Sequence, residues 1–158
     1  MAVDLTIQQR RSSLKTLKSD ILKPAPSVNA VCVTTNLRCR NNGTAIMGAG
    51  IALAAHKQWN LDIIYGSQLR RGQKSVGIIK EIDLLSIVAF PTKDNWRNPS
   101  SIELIKKGLA QLVELTSHHG WQKVWVPSLG TNNGGLSTSV VWPIMEQYLD
   151  ERFTLVLR

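Results

Sequence analysis

Val28-Asn29-Ala30-Val31-Cys32-Val33-Thr34-Thr35 is a run of apolar and β-branched residues, and beyond a loop comes Gly50-Ile51-Ala52-Leu53-Ala54-Ala55-His56-Lys57-Gln58-Trp59, rich in Ala and Leu. The first stretch reads as a strand buried on both faces and the second as a helix opened by glycine. A buried strand followed by a helix is half of an α/β unit, and the rest of the chain repeats it. Leu61 to Leu69 predicts a shorter helix closed by Arg71-Gly72. Val76–Lys80 and Leu84–Phe90 predict two strands joined by Glu81-Ile82-Asp83. That joint is too short for a parallel crossover, so the pair must be an antiparallel hairpin. Pro99, Ser100 and Glu103 carry a capping-box signature, after which Ile102, Ile105, Leu109, Leu112, Val113 and Thr116 recur at helical steps until Gly120. Val124–Val126 predicts a strand, Pro127–Gly135 a loop, Ser137–Leu149 a helix and Phe153–Leu157 a final strand. Pro143 is tolerated in that helix if it falls in the first turn. Leu14–Lys18 alternates weakly and predicts an early strand. Strands alternating with helices, interrupted by one hairpin, predict a three-layer α/β/α fold with a mixed central sheet of about six strands.

Composition bounds the rest. The 158 residues are 43% hydrophobic and 19% charged, which suits one globular domain and excludes collagen, coiled coil and disorder. The expected domain spans residues 1–158, with 1–13 as an N-terminal extension. No apolar run approaches the roughly 18 residues of a membrane span. MAVDLTIQQRRSSLK lacks the apolar stretch of a signal peptide. Two cysteines, Cys32 and Cys39, make no disulfide framework, so a reducing, cytoplasmic compartment is expected. The formal net charge of +8 calls for an anionic partner: nucleic acid, a nucleotide or an acidic protein. The basic residues are nonetheless scattered, at Arg10, Arg11, Lys15, Lys18 and Lys23, at Arg38 and Arg40, at Arg70, Arg71 and Lys74, and at Lys106 and Lys107. For most of them a solvated face is the plainer reading.

Three strand-to-helix loops carry chemical signal. Asn36–Met47 leads to Gly48-Ala49-Gly50, where glycines admit a ligand close to the backbone and a helix N-terminus offers free N–H groups to a phosphate. The spacing is wrong for a dinucleotide-binding fingerprint, whose glycines follow the strand directly. The second loop, Phe90-Pro91-Thr92-Lys93-Asp94-Asn95-Trp96-Arg97, sets a lysine at the carboxyl end of an apolar strand. Its lysine faces a ligand unless Asp94 pairs with it, and Trp96 either packs on a sugar or base or staples the next helix. The third, Pro127–Leu136, has the small residues and backbone donors of an anion nest.

Together these loops resemble a macrodomain, the fold that binds ADP-ribose, over about Thr16 to Leu157. Val31–Asn36 with Met47–Ala52 is similar to the family's first ribose and diphosphate loop. Phe90-Pro91-Thr92-Lys93 with Trp96-Arg97, then Gly130 and Gly134-Gly135-Leu136, is similar to the branch of DarG-type DNA ADP-ribosyl glycohydrolases and to small phage and bacterial stand-alone macrodomains. The resemblance implies that Asp20, beside Ile21, accepts a hydrogen bond from the adenine amino group, and that Asn36 holds the distal ribose, flanked by Thr35 and Thr92. It implies that Met47, Gly48, Ala49, Gly50 and Ile51 line the diphosphate and distal ribose. Ser128, Leu129, Gly130, Thr131, Asn132, Asn133, Gly134, Gly135 and Leu136 would wrap the diphosphate from the other side. Lys93 would attack or polarise the distal ribose C1″. No metal and no other cofactor is required. The sequence departs from the family pattern at Ser19, which replaces a glycine, at Thr131-Asn132-Asn133, which replaces Gly-Cys-Gly, and at Gly134, where some glycohydrolases carry an Asp. The basic stretch Arg38–Thr44 is longer than the usual loop.

The expected activity is therefore ADP-ribose binding, with removal of ADP-ribose from a DNA base or a protein by cleavage at C1″. The alternatives are a non-catalytic reader of ADP-ribose and a basic nucleic-acid-binding module. The expected partner is ADP-ribose or an ADP-ribosylated macromolecule, with weak nucleic-acid contact through the basic surface; a monomer is expected, with no membrane role. His118 and His119 suit a helix C-terminus better than a metal. Cys32, Trp121, Trp125 and Trp142 read as packing residues, and His56 as a surface or partly packed one. Cys39, between Arg38 and Arg40, is a candidate reactive thiol.

Overall fold

The computed structural model describes residues 14–158, so the extension over 1–13 lies outside the described residues. Among the described residues, six strands and four helices follow in the order β1 (Lys15–Lys18), β2 (Ala30–Asn36), α1 (Gly50–Trp59), α2 (Asp62–Arg70), β3 (Gly77–Ile82), β4 (Leu85–Lys93), α3 (Ile102–His119), β5 (Val124–Pro127), α4 (Thr138–Tyr148) and β6 (Phe153–Leu157). The sheet order is β1-β6-β5-β2-β4-β3. All neighbours are parallel except β3 and β4. The expected mixed six-stranded sheet between helical layers is what forms.

Strand side chains alternate between faces, and along the central strands β2, β4 and β5 both faces are dry. Ala30, Cys32, Val88, Phe90, Val124 and Val126 pack with Ile105, Leu109 and Leu112 of α3 and Val141 and Met145 of α4. Val31, Val33, Ile87, Ala89 and Trp125 pack with Ala55 and Trp59 of α1 and Tyr65 and Leu69 of α2. Ala30, Val31, Cys32 and Val33 are all fully buried. This is why β2 reads as an unbroken apolar run rather than an alternating one. Phe90 is covered by α3 at Gly108, where a Cβ would lie 2.6 Å from the ring. Removing the Phe90 ring would cost about 3–5 kcal/mol.

Three expected boundaries move. β4 runs past Phe90 to Lys93, because β3 pairs only as far as Ala89 and Pro91 then needs no partner on that side. The capping residue of α3 is Ser101, whose hydroxyl accepts from Leu104 N at 3.2 Å, not Ser100. Two adjacent serines offer the same cap, and tertiary bonds choose between them: Ser100 N donates to Gly134 O and Ser101 N to Thr92 O. In α4 the cap is Ser137, so Pro143 falls in the second turn rather than the first. It is exposed there, which lets water serve the carbonyl its missing N–H leaves free.

Candidate functional site

The carboxyl ends of β2, β4 and β5 open on one side of the sheet, and ligands of such sheets bind there. A cleft of about 550 Å³ is lined by Thr35, Asn36, Thr92, Lys93 and Ser100, among others. A second cavity of about 590 Å³ reaches Asp20, Ile21 and Trp142. Gly50, Ile51, Ser128, Thr131, Asn132 and Asn133 border both. The two are lobes of one groove with a waist between them.

One wall of the waist is the N-terminus of α1. Ala49 caps it with extended backbone and no side-chain bond, and its first turn holds no acidic residue. Gly50, Ile51 and Ala52 therefore present N–H groups that have no partner inside the helix, at the positive end of its dipole. Gly50 needs its glycine twice: φ is +56°, and a Cβ would lie 2.6 Å from the Asn133 amide nitrogen.

The other wall is a folded turn. Ser128 and Thr131 hydroxyls bond at 2.6 Å, Leu136 N donates to Gly130 O, and Gly135 N donates to Asn132 O. Trp142 Nε1 donates to Ser128 Oγ at 2.8 Å, so this tryptophan anchors the turn and borders the Asp20 lobe. At Gly134 a Cβ would collide with Ser100 Oγ and the Gly130 carbonyl. Thr131-Asn132-Asn133 thus occupies the waist itself, with Asn132 and Asn133 exposed.

In the first lobe, β2 and β4 slip register between Thr35 and Asn36, so Thr35 faces Pro91 and Asn36 faces Lys93. Such a bulge re-aims side chains. Lys93 Nζ donates to Asn133 O at 3.0 Å. Asp94 does not pair with it; that carboxylate takes Arg38 at 3.0 Å instead. Asn36 is buried and braced: its amide donates to Ile46 O at 2.8 Å and accepts from Arg38 N at 3.0 Å. Thr35 shares a 2.8 Å hydrogen bond with the buried Tyr65 hydroxyl beneath the cleft. Burial pushes the Tyr65 phenol up to about 12. Asp20, in the other lobe, is exposed and accepts from Leu22 N at 3.0 Å.

Most expected site residues come together on this groove, but four do not line it. Met47 is 2% exposed and lies in the α1/α2 core cluster, while Leu129 is fully buried in the other. Leu136 packs against that second core, and Gly135 faces outward. These four shape the loops from behind. Conversely Ser100, Arg40 and Ile46 line the first lobe unannounced. Ser100 was disguised as a helix cap, and Arg40 as part of a basic insertion. That insertion is a small hairpin, bridged between Cys39 and Ala45, and Cys39 Sγ donates to Gly66 O at 3.7 Å. Burial pushes the Cys32 thiol well above its usual range, and His119 stacks on Trp121.

A two-lobed groove at the carboxyl edge of a mixed sheet, waisted by a helix N-terminus and a glycine turn, defines a nucleotide-type binding fold. Residues 41–145 match the Macro domain family, and the chain belongs to it. It is 33% identical over 119 residues to the DNA ADP-ribosyl glycohydrolase of Mycobacterium tuberculosis, covering 71% of this chain and 33% of that protein. The chain thus spans about a third of the length of that relative. The macrodomain of Thermus aquaticus DarG superposes with a TM-score of 0.78 at 26% identity, covering 92% of this chain and 97% of that one. Thermosipho africanus DarTG in complex with ADP-ribose superposes at 0.75 with 24% identity, covering 90% of this chain and 41% of that one.

Proposed function

We propose that this macrodomain binds ADP-ribose along the groove and releases it from a modified macromolecule by cleaving the bond at C1″ of the distal ribose. The observation that carries this reading is the waist: unpaired N–H groups of α1 between two lobes, with Lys93 in the wall of one of them and bonded across to the waist loop at Asn133 O. A diphosphate fits the waist electrostatically, leaving a nucleoside in one lobe and a sugar in the other. Asp20 receives the adenine amino group, having a second carboxylate oxygen beyond the one that holds Leu22 N. Thr35, Asn36, Thr92 and Lys93 surround the distal ribose. The relatives named DNA ADP-ribosyl glycohydrolase support DNA as the carrier.

Glycosidic bonds at C1″ break through a cationic, oxocarbenium-like sugar, so a positioned nucleophile lowers the barrier. Lys93 Nζ, released from Asn133 O, attacks C1″ as the bond to the leaving group breaks. The leaving group takes up the proton that the attacking nitrogen loses. Water then hydrolyses the nitrogen–C1″ bond, giving free ADP-ribose and restoring the amine. The Lys93–Asn133 bond also favours a second reading, a reader that holds ADP-ribose without turning it over. Calorimetry with ADP-ribose tests the shared part: saturable heat is expected, and none at millimolar ligand would sink both. Incubation with ADP-ribosylated DNA and protein, followed by assay of free ADP-ribose, separates enzyme from reader.

A further inference from the structure

Thr35 and Asn36 stand side by side at the end of β2, and both line the Lys93 lobe. Asn36 is oriented within its own loop: Oδ1 accepts from Arg38 N, and Nδ2 spends one N–H on Ile46 O and keeps a second. Thr35 is held from beneath, with Oγ1 2.8 Å from Tyr65 Oη. By distance alone either hydroxyl could donate, so the surroundings decide. Tyr65 is 2% exposed, and among the described residues its hydroxyl bonds only to Thr35. If Thr35 donated, the phenol proton would be buried without an acceptor, an arrangement disfavoured about tenfold or more. If Tyr65 donates, no proton is stranded in the core. The proton left over is then that of Thr35, whose side chain lies in the cleft wall. Tyr65 is therefore the donor, and the Thr35 O–H is free toward the lobe.

The phenol is placed by α2, not by the lobe. Tyr65 N donates to Leu61 O, and Ala45 N donates to Asp62 O. Next along the helix, Gly66 lets the Gly43 carbonyl come so near that a Cβ would strike it. The seat of α2 thus bears on the loop that braces Asn36 and on the hydroxyl that sets Thr35. Among the described residues no carboxylate lines this lobe. We propose that Tyr65 is a positioning residue for the distal ribose: by donating to Thr35 it fixes the Thr35 hydroxyl as a hydrogen-bond donor to a sugar oxygen. The inference deepens the ADP-ribose reading and rests on it. Thr35, Asn36 and Lys93 then all offer protons, and the lobe reads the sugar through the lone pairs of its oxygens. Without the phenol, Thr35 loses the partner that fixes its rotation, and the donor must be ordered anew by each ligand.

The test is calorimetry of the whole chain with two ligands: ADP-ribose, and ADP, which suits the waist and the Asp20 lobe but carries no distal ribose. Tyr65→Phe should weaken ADP-ribose about three- to tenfold and leave ADP within about twofold. A merely structural role for Tyr65 would weaken both ligands alike. Thr35→Val should lose at least as much for ADP-ribose, and Thr35→Ser, which keeps the hydroxyl, should recover most of it. Because Tyr65 acts through Thr35, the double variant Tyr65→Phe with Thr35→Val should bind no more weakly than Thr35→Val alone. Thermal melts show which variants are folded. Unchanged ADP-ribose affinity in folded Tyr65→Phe, equal losses for ADP and ADP-ribose, or additive losses in the double variant overturn the proposal. Should Tyr65→Phe not fold, Thr35→Val against Thr35→Ser decides: equal affinities overturn the Thr35 donor, and a loss confined to ADP-ribose upholds it. No ADP-ribose heat in the wild type sinks the groove reading and this inference with it. Wild-type heat that Tyr65→Phe leaves unchanged sinks this inference alone.

Discussion

Lys93 Nζ donates to the main-chain carbonyl of Asn133 at 3.0 Å, a bond that spans the groove from the end of β4 to the waist loop. The lysine sits just past a register slip in β2 and β4, at the one place where the sheet edge, the α3 entry and the waist loop meet. Such a contact holds the amine at the lobe before a ligand arrives, and a bound sugar competes with a neutral carbonyl rather than with a carboxylate. Lys93→Ala is therefore expected to abolish release of free ADP-ribose. Binding of ADP-ribose should stay within about tenfold, roughly 1.4 kcal/mol, because the waist supplies most of the affinity. Wild-type turnover in this variant, on a substrate the protein hydrolyses, would refute the role of Lys93.

The opposite lobe predicts the opposite pattern. Asp20 is exposed and spends one oxygen on Leu22 N. Asp20→Asn keeps an acceptor for that backbone bond but adds an amide donor and removes the charge. Asp20→Ala removes both. Affinity for ADP-ribose should fall by about 10–150-fold in Asp20→Ala, the worth of one charged hydrogen bond, with a melting temperature close to wild type. Calorimetry beside a thermal melt checks it, and equal loss of fold and affinity would assign Asp20 to structure.

The waist loop separates close approach from empty space. At Gly134 an added methyl meets the Gly130 carbonyl, which cannot move without unfolding the turn, and Ser100 Oγ. Gly134→Ala should cost about 1–3 kcal/mol as overpacking, near 2–4 °C of melting temperature per kcal/mol in a chain of this size. ADP-ribose affinity should drop with it, since the displaced turn carries the waist. At Gly48 nothing lies within 4 Å of an added Cβ, so Gly48→Ala should leave the melting temperature unchanged. Equal melting of the two variants would show that the turn is softer than the contacts imply.

The centre of the sheet was legible because its strands there are dry on both faces: Ala30, Val31, Cys32 and Val33 serve two cores at once. The helix of Ile105, Leu109 and Leu112 was legible for the same reason, through its period. The three loops stood out by their glycines, and Lys93 by its place at the end of an apolar strand. What escaped was decided by contacts distant in sequence. Nothing local tells Ser100 from Ser101; the Gly134 carbonyl and the Thr92 carbonyl do. Met47 and Leu129 sit among ligand-lining neighbours in sequence, yet backbone geometry turns both side chains inward. Arg40 lines the cleft only because its hairpin folds back onto Gly66 of α2.

Tyr65 joins the cleft floor to the core. Its hydroxyl shares a 2.8 Å hydrogen bond with Thr35, and its ring is 2% exposed among Val31, Val33 and Leu69. Burial, first, and the nearby Cys39 raise its phenol to about 12, although the Thr35 bond pulls the other way. The unfolded phenol ionises near 10. Between these values the unfolded chain loses a proton that the folded chain keeps, so stability falls as pH rises. The contribution is complete below pH 10 and is lost by about 12, amounting to about 2–3 kcal/mol. Tyr65→Phe removes the ionisable group, and its melting temperature should decline less steeply over that window than wild type. At pH 7 the same variant strands Thr35 Oγ1 in a buried site, costing about 1–2 kcal/mol, and loosens the wall beside Asn36. Thermal melts of both proteins from pH 8 to 12 decide it: parallel curves would mean that Tyr65 reaches solvent as readily folded as unfolded, and that the floor under Thr35 is not closed.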